Sequence, residues 1–250
     1  MFGFGRASKP KASVFVDYEH WYYGYHNNFH MKPNFEEWLQ EPQNEYAVNE
    51  LFVFGDFSQN SISSELSVLQ GLTKDVIHTA SDKQGVDKDF TDVIILDAIY
   101  RSAANKKSSD VYILFTGDAH FTKVVEYLKE INKKVIIYGV KFGFSNALKS
   151  AATSYVEMPR QVQEKNYYND LILASLNKLR SKQGKMPSYW MTISNVSKYN
   201  KVPEERIRKA LDGLINQKYI DTSMRTNKKG TRILMLNVHW DKLKEDGLWR

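Results

Sequence analysis

Cysteine is absent from the 250-residue chain, and so are long apolar runs. Without cysteine, the sequence excludes disulfide bonds, thiolate zinc sites and a cysteine nucleophile, and it fits a reducing compartment. A helix that crosses a bilayer needs about 18–20 mostly apolar residues in a row, and no segment has them. The basic N-terminal segment is not followed by an apolar run of secretory length. We therefore expect a cytoplasmic protein that has no membrane partner.

Hydrophobic residues make up 42% of the chain and aromatic residues 13%, which is sufficient for packed cores. The net charge of +6 is distributed unevenly. Residues 1–160 carry 17 basic and 20 acidic side chains, a net charge of −3, whereas residues 161–250 carry 18 and 9, a net charge of +9. This contrast predicts two parts, of which the first binds cations and the second binds a polyanion.

Short apolar runs alternate with helical segments in the first part of the chain. The pattern predicts strands at residues 13–17, 51–56, 76–80, 111–116, 134–140 and 155–158. Helical segments are predicted at residues 61–73, 89–101, 120–131 and 145–152. Continuous apolar strands separated by helices indicate a doubly wound, mostly parallel α/β sheet with both faces covered. We assign this domain to residues 12–158.

A different pattern follows Pro159. Residues 161–170 are polar and are predicted either to link two domains or to begin a helix. Helices are predicted at residues 168–182 and 192–199, and a third begins near Pro203, with apolar residues at helical spacing. Two short strands around a basic turn follow. Three helices and a hairpin are typical of a winged-helix module, which we assign to residues 168–240.

Acidic residues are the candidates for chemistry in the first domain. Asp17 stands at the end of the first apolar strand, and Asp118 follows the fourth after the single residue Gly117. Parallel strands place both at one edge of the sheet if the two strands are neighbours. The helical segment at 89–101 adds Asp92 and Asp97, which lie about 140° apart around a helix and so cannot both point the same way. We favour Asp92 over Asp97, and Asp89 is interpreted as a helix cap or a ligand.

Carboxylates held close together repel one another unless a cation lies between them. Oxygen ligands without thiolates favour Mg²⁺ or Mn²⁺ over zinc, and such an ion activates water and offsets charge on a phosphate. The alternative is structural, because an aspartate at a strand end often only accepts hydrogen bonds from turn amides. Spacing alone leaves both interpretations open.

Three segments, in order, resemble the signature regions of a known family: VFVDYEHWYYG, KDFTDVIILDAIYR, and a third that begins with FTGDAHFTKVVEYL and continues to KKVIIYGV. They are similar to the NYN domain, a branch of the PIN-like nucleases that includes LabA-like bacterial proteins. The similarity covers roughly residues 12–158. It implies a doubly wound α/β fold, an acidic cluster that binds Mg²⁺ or Mn²⁺, and hydrolysis of phosphodiester bonds, usually in RNA.

The resemblance carries the family's acids onto Asp17, Asp92 with Asp97 beside it, and Asp118. Three departures accompany it. His20 replaces the usual asparagine three residues after the first acid, His120 replaces the second acid of the Gly-Asp-x-Asp motif, and the two helix acids are one residue closer together than in the family. His120 is either a substitute ligand or general base, or the mark of a domain that binds without cutting. His20 is a candidate contact for nucleic acid.

The tyrosines and tryptophan that follow Asp17 have two interpretations. Tyr18, Trp21, Tyr22 and Tyr23 either stack on unpaired bases or pack beneath the edge of the sheet. Packing is the favoured use for most of them.

Basic side chains cluster in the predicted winged helix. They are Arg206, Arg208 and Lys209 on the predicted recognition helix, and Arg225, Lys228, Lys229 and Arg232 at the wing. Lysine and arginine contact phosphates regardless of base sequence, so the module is predicted to bind nucleic acid, with RNA favoured and DNA the alternative. A protein partner or a second copy of the chain is the other interpretation of this module.

Two functions therefore compete. The favoured one is a metal-dependent endoribonuclease in which Asp17, Asp92, Asp118 and His120 are catalytic. The other is a regulator that binds nucleic acid through a nuclease-like domain without cleaving it. A nucleotide-binding domain ranks below both, because no glycine-rich phosphate loop follows any strand.

Overall fold

The structure is a computed structural model that describes residues 8–79, 90–180, 187–226 and 230–249. The chain divides into two compact units. The first ends at Pro159 and the second begins at Arg160. Each unit has its own hydrophobic core, and each is described by itself below.

Six parallel strands form the sheet of the first unit. They are β1 (Lys11–Asp17), β2 (Ala47–Gly55), β3 (Asp75–His78), β4 (Val111–Phe115), β5 (Lys134–Val140) and β6 (Ser154–Met158). Their order in the sheet is β3-β2-β1-β4-β5-β6, and every pair is parallel. Apart from their first residues, β1, β4 and β5 are buried along their whole length, as expected for strands covered on both faces.

In the described part of this unit, six helices connect the strands. They are α1 (Tyr18–Phe29), α2 (Phe35–Glu45), α3 (Leu66–Leu72), α4 (Thr91–Ala104), α5 (Thr122–Glu130) and α6 (Asn146–Ala151). Two short 3-10 turns, Ser63–Glu65 and Ala119–Phe121, precede α3 and α5. Together with the parallel sheet they form a doubly wound α/β fold, which confirms the predicted fold class of this part.

The two faces of the sheet carry different cores. On one face, Trp21 of α1 stacks on Phe115 of β4 with ring centroids 4.0 Å apart, and Trp38 of α2 meets the same ring edge-on. On the other face, an apolar cluster joins Leu114 and Ile137 of the sheet to residues of α4, α5 and α6. Successive residues of a strand face opposite sides, so Leu114 and Phe115 anchor opposite layers.

Helices α1 and α2 were not predicted as elements. The buried residues of α1 are Tyr18, Trp21, Tyr22, Tyr25 and Phe29, which recur at helical spacing. Histidine, asparagine and glycine between them hide that spacing, because they are weak helix formers. Burial of Tyr18, Trp21 and Tyr22 agrees with the packing interpretation of this aromatic segment.

Residues 160–180, 187–226 and 230–249 of the second unit form four helices and a hairpin. They are α7 (Gln161–Arg180), α8 (Tyr189–Asn200), α9 (Glu204–Asn216), β7 (Ile220–Thr226), β8 (Arg232–Val238) and α10 (Trp240–Glu245). Of the two interpretations of residues 161–170, the start of a helix is the one observed. Strands β7 and β8 are antiparallel, and Ser188 forms an isolated bridge to Met235 of β8. The side chains of α7, α8 and α9 form one core around Ile172, Ile193 and Leu211.

Across the described ranges, no helix combines the length and apolar character needed to span a membrane.

Candidate metal centre

The strand order brings two predicted acids to one edge of the sheet. β1 and β4 are adjacent and parallel, with Val16 opposite Phe115. Asp17 ends β1, and Asp118 follows β4 after two residues. Between these two strands the connections change direction, since β2 and β3 continue to one side of β1 while β5 and β6 continue to the other side of β4. Ligands in doubly wound folds bind beyond the carboxyl ends of the strands at this position.

Asp17 is buried, with 7% of its surface exposed. Its Oδ1 accepts a hydrogen bond of 3.0 Å from the backbone N–H of His20 and thereby caps α1. Asp118 caps the 3-10 turn after β4 in the same way, because its Oδ1 accepts a 2.9 Å hydrogen bond from the backbone N–H of His120. Both aspartates therefore have the structural role that was the alternative to metal binding, because each accepts a hydrogen bond from a backbone amide that follows its strand. The carboxylate of Asp118 has a second oxygen and further acceptor capacity.

Asp92 and Asp118 meet at the side chain of His120. Nδ1 of His120 lies 3.0 Å from Oδ2 of Asp92 and 3.3 Å from Oδ1 of Asp118. One ligand atom from each of the three residues lies within 4.8 Å of the other two. Asp92 reaches this point from the first turn of α4, and Asp118 and His120 reach it from the turn before α5. We call these three residues the acidic triad.

A cleft of about 440 Å³ contains this region, and Asp17, Asp92 and Asp118 all line it. Asp17 thus shares the cleft with the two aspartates of the acidic triad, although its carboxylate is outside the group of atoms within 4.8 Å. Glu19 also lines the cleft, and its carboxylate accepts a 3.1 Å bond from Gln59. The three aspartates chosen from the sequence therefore face one common space.

Gly117 allows the loop before Asp118 to approach its neighbours closely. A Cβ atom at this position would lie 2.4 Å from the carbonyl oxygen of Gly143 and 2.6 Å from Nε2 of His20. Real Cβ atoms essentially never show such contacts, so a side chain at 117 would displace the loop that carries Asp118. Glycine in the Gly-Asp pair is a packing requirement of the cleft.

The two histidines of the cleft have opposite electrostatic environments. The pKa of His120 is raised above its usual value by its hydrogen bond to Asp92 and by the negative charges of Asp118 and Asp92. The pKa of His20 is lowered, because burial disfavours the charged ring more than the charges of Asp118 and Asp92 favour it. Nε2 of His20 is buried and has no hydrogen-bond partner among the described residues. The side chain of His20 nevertheless belongs to the lining of the cleft, and its role as a contact for nucleic acid stays a prediction.

Asp97 is not brought to the acidic triad. Its side chain is 58% exposed, and its Oδ2 pairs with Nε of Arg101 at 2.6 Å on the outer face of α4. The reason is the helical rotation of about 140° between positions 92 and 97. Asp89, the third acid considered for this segment, lies outside the described residues.

Asn27 and Asn28 are among the cleft residues that sequence reasoning missed. Both line the cleft from α1, one turn after Gly24, which also lines it. Positions 20, 24, 27 and 28 share one face of a helix, so the signal was available once α1 was recognised.

The donor set of the acidic triad suits a hard divalent cation. Two carboxylates and one imidazole without thiolates fit Mn²⁺ well, whereas Mg²⁺ favours oxygen ligands and bound water. No described lysine or arginine forms an ion pair with Asp92 or Asp118, whose partner in the triad is His120. The residues present therefore fit the ion that the sequence predicted.

The basic residues of the second unit occupy different environments. Arg206 is half-buried, and its Nη1 donates to Glu164 at 3.1 Å and to the hydroxyl of Tyr168 at 2.8 Å. Arg208 and Lys209 are exposed on α9. Arg225 and Arg232 are exposed near the tip of the β7–β8 hairpin, and Lys228 and Lys229 lie outside the described residues.

Comparison with known proteins agrees with this geometry. A family model described as the NYN domain matches residues 11–186, which include the whole sheet and α7. The fold is similar to that of a Vibrio parahaemolyticus protein of unknown function, with a TM-score of 0.55 and 24% sequence identity over 62% of this chain and 97% of that chain. No curated protein matches the chain. The chain belongs to the NYN-domain family, within the PIN-like nucleases.

Proposed function

We propose that the protein is a divalent-metal-dependent nuclease that hydrolyses phosphodiester bonds, with RNA as the favoured substrate and DNA as the alternative. The observation that carries the proposal is the convergence of Asp92, Asp118 and His120 within 4.8 Å, where both aspartates line a cleft at the carboxyl edge of the sheet. Membership of the NYN-domain family supports it.

In this proposal the acidic triad holds the ion. Mg²⁺ or Mn²⁺ would supply a bound water of lowered pKa and positive charge against the phosphate. Asp92 and Asp118 offer carboxylate oxygens, and His120 offers a neutral imidazole nitrogen once it has lost its proton. Asp17 adds negative charge to the same cleft from a buried, capped position. Asp97 takes no part, because its exposed side chain pairs with Arg101.

The second unit is proposed to be a winged-helix module that recruits the substrate. Three helices precede the β7–β8 hairpin, and the bridge from Ser188 to Met235 adds a third strand position, as in winged helices. Arg208 and Lys209 on α9, with Arg225 and Arg232 on the hairpin, offer exposed positive charge for phosphates. Arg206 instead stabilises the unit through Glu164 and Tyr168.

A second candidate function is a regulator that binds nucleic acid without cleaving it. The observation that favours it is His120, which stands where the family pattern has an acid and which, when protonated, contacts both aspartates and offsets one of their two negative charges. For the winged helix, a protein partner or a second copy of the chain is favoured by Trp190 and Met191, both largely exposed on α8.

Cleavage assays on the full chain separate the two functions. Single- and double-stranded RNA and DNA are each incubated with Mn²⁺, with Mg²⁺ and with EDTA. We expect cutting of RNA that needs the metal and is lost in Asp118→Asn. Asp97→Asn is the matched control, since it removes the same charge from an exposed position on α4. Binding without cutting under every condition, or cutting that survives Asp118→Asn, would overturn the nuclease proposal.

A further inference from the structure

The loop between β5 and α6 contains an aromatic residue in a backbone conformation that favours glycine. The N–H of Gly143 donates to the carbonyl of Val140 at 3.1 Å, which closes a tight turn over residues 140–143. Phe142 is the third residue of this turn and has a φ of 71°. Glycine or asparagine is usual at such a position, and a bulky side chain with positive φ is an outlier. Outliers of this kind persist where function requires them.

The ring of Phe142 is 85% exposed. It stacks on Phe29 of α1, with centroids 5.8 Å apart and planes inclined by 23°. Phe29 is itself buried, with 3% of its surface exposed. One face of the Phe142 ring is therefore supported by a fixed neighbour, while the large exposure means that the opposite face is open to solvent.

The turn is attached to the residues that carry the acidic triad. The carbonyl of Gly143 lies so near Gly117 that a Cβ there would be 2.4 Å away, and the N–H of Ser145 donates to the carbonyl of Gly117 at 2.9 Å. Val140 and Gly143 line the cleft together with Asp118. Phe142 does not itself line the cleft, but it directly precedes Gly143, which does, and we take its position to be the rim.

Packing does not explain why residue 142 is a phenylalanine, because most of the surface of this side chain is exposed to water. Its flat open face, its fixed support and its place beside an acidic cleft match the requirements for stacking a nucleobase. A base inside a duplex is covered on both faces by its neighbours, so only an unpaired base can lie on such a ring. Lys141, the preceding residue, adds positive charge near the path of the phosphates.

We propose that Phe142 is a stacking platform for an unpaired base of a single-stranded nucleic acid at the rim of the cleft. The inference rests on the proposed nuclease function, and it deepens that function by assigning a single-stranded substrate. The ring positions one nucleotide so that a neighbouring phosphate faces Asp92 and Asp118.

Binding to two matched strands tests the stacking. Dissociation constants are measured by fluorescence anisotropy in EDTA for a ten-nucleotide oligouridine and for an abasic strand of the same length. We expect Phe142→Gly to weaken oligouridine binding about fivefold or more, the loss of one base stack, and to leave abasic binding unchanged. Phe142→Trp should retain the preference for bases. The glycine variant should fold, because glycine adopts a φ of 71° without strain.

Tyr155→Ala is the matched control, since Tyr155 is a half-exposed aromatic residue on the edge strand β6 and does not line the cleft. It should bind both strands as the parent does. An unchanged oligouridine affinity in Phe142→Gly, or an equal loss on both strands, would overturn the inference and leave a protein contact as the use of the ring.

Cleavage kinetics keep this inference apart from the nuclease proposal. If the parent cuts single-stranded RNA and Phe142→Gly has the same KM, the nuclease proposal stands and the stacking platform is wrong. If the parent cuts nothing but loses its preference for bases in Phe142→Gly, stacking stands and the nuclease proposal fails.

Discussion

Nδ1 of His120 lies 3.0 Å from Oδ2 of Asp92, a residue 28 positions earlier in the chain. The same nitrogen is 3.3 Å from Asp118, so one imidazole faces two carboxylates. Protonated His120 is a cation in the position that a divalent ion would compete for. The charge state of this ring therefore determines whether the cleft presents two free carboxylates or an internal ion pair.

The two histidines of the cleft are predicted to titrate on opposite sides of the ordinary value of about 6.5. In EDTA, NMR should give a pKa above that value for His120 and below it for His20. Asp92→Asn removes a negative charge near both rings and leaves only a neutral amide oxygen to accept the hydrogen bond from His120, so both pKa values should fall. Asp97→Asn is the control and should change neither. A His120 resonance that titrates below 6.5 in the parent would contradict the ion pair.

These shifts also determine how folding stability depends on pH. His120 has a raised pKa, so its contribution is fully present below about 6.5 and is lost as pH rises through the folded-state pKa. His20 has a lowered pKa, so its contribution is present above about 6.5 and is lost as pH falls through the folded-state pKa. Urea unfolding of His20→Asn and of the parent between pH 5 and 8, a range set around the value of about 6.5, should therefore show a smaller acid-induced loss in the variant.

Restoring an acid at position 120 is predicted to strengthen Mg²⁺ binding. His120→Asp completes the Gly-Asp-x-Asp pattern and replaces a nitrogen donor with the oxygen donors that Mg²⁺ favours. Calorimetry at neutral pH should show tighter Mg²⁺ binding than in the parent and a smaller preference for Mn²⁺. Asp118→Asn is the comparison and should bind both ions more weakly. Equal Mg²⁺ affinities in His120→Asp and the parent would place the ion away from residue 120.

A methyl group at Gly117 is predicted to destabilise the first unit. Gly117→Ala forces its Cβ against the carbonyl of Gly143 and the ring of His20, and overpacking of this kind costs about 1–3 kcal/mol. Gly71→Ala is the control within the same unit, because nothing lies within 4 Å of the added atom in α3. That change should stabilise by up to ~1 kcal/mol. Urea unfolding measures both, and a Gly117→Ala protein as stable as the parent would refute the close approach.

Salt dependence separates phosphate contacts from structural arginines on α9. Arg208→Ala and Lys209→Ala should each reduce the slope of log K against log salt concentration by about 0.7–0.9. Arg206→Ala should instead lower the unfolding temperature, because it breaks the contacts with Glu164 and Tyr168, and should leave the slope unchanged. If Arg208→Ala and Lys209→Ala leave the slope unchanged, the exposed side chains of α9 do not contact the nucleic acid.

Apolar runs predicted the strands of the first unit well, since a strand buried on both faces needs continuous apolar residues. Residues 134–140 were predicted with the bounds observed for β5. Convergence of Asp17 and Asp118 followed from the rule that parallel strands end at one edge. Helix α1 was missed, and with it the backing of Phe142 by Phe29, because that contact joins residues 113 positions apart and leaves no periodic signal.

The geometry of the site depends more on side-chain rotamers than on the spacing of the residues in the sequence. The sequence identified Asp92, but the meeting of His120 with two carboxylates depends on how the 3-10 turn Ala119–Phe121 directs the ring. The ion pair between Arg206 and Glu164 could not be predicted either, because Glu164 lies in a segment that had been predicted either as a linker or as a helix start.

The central position of β1 has a consequence during synthesis on the ribosome. Its partners are β2, which ends at Gly55, and β4, which ends at Phe115, so one side of β1 lacks a partner while 60 further residues are translated. At typical elongation rates this takes roughly 3–12 s. During that interval the nascent chain exposes an apolar strand edge of the kind that recruits other chains. Translation speed between β2 and β4 should therefore influence how much of the protein avoids aggregation.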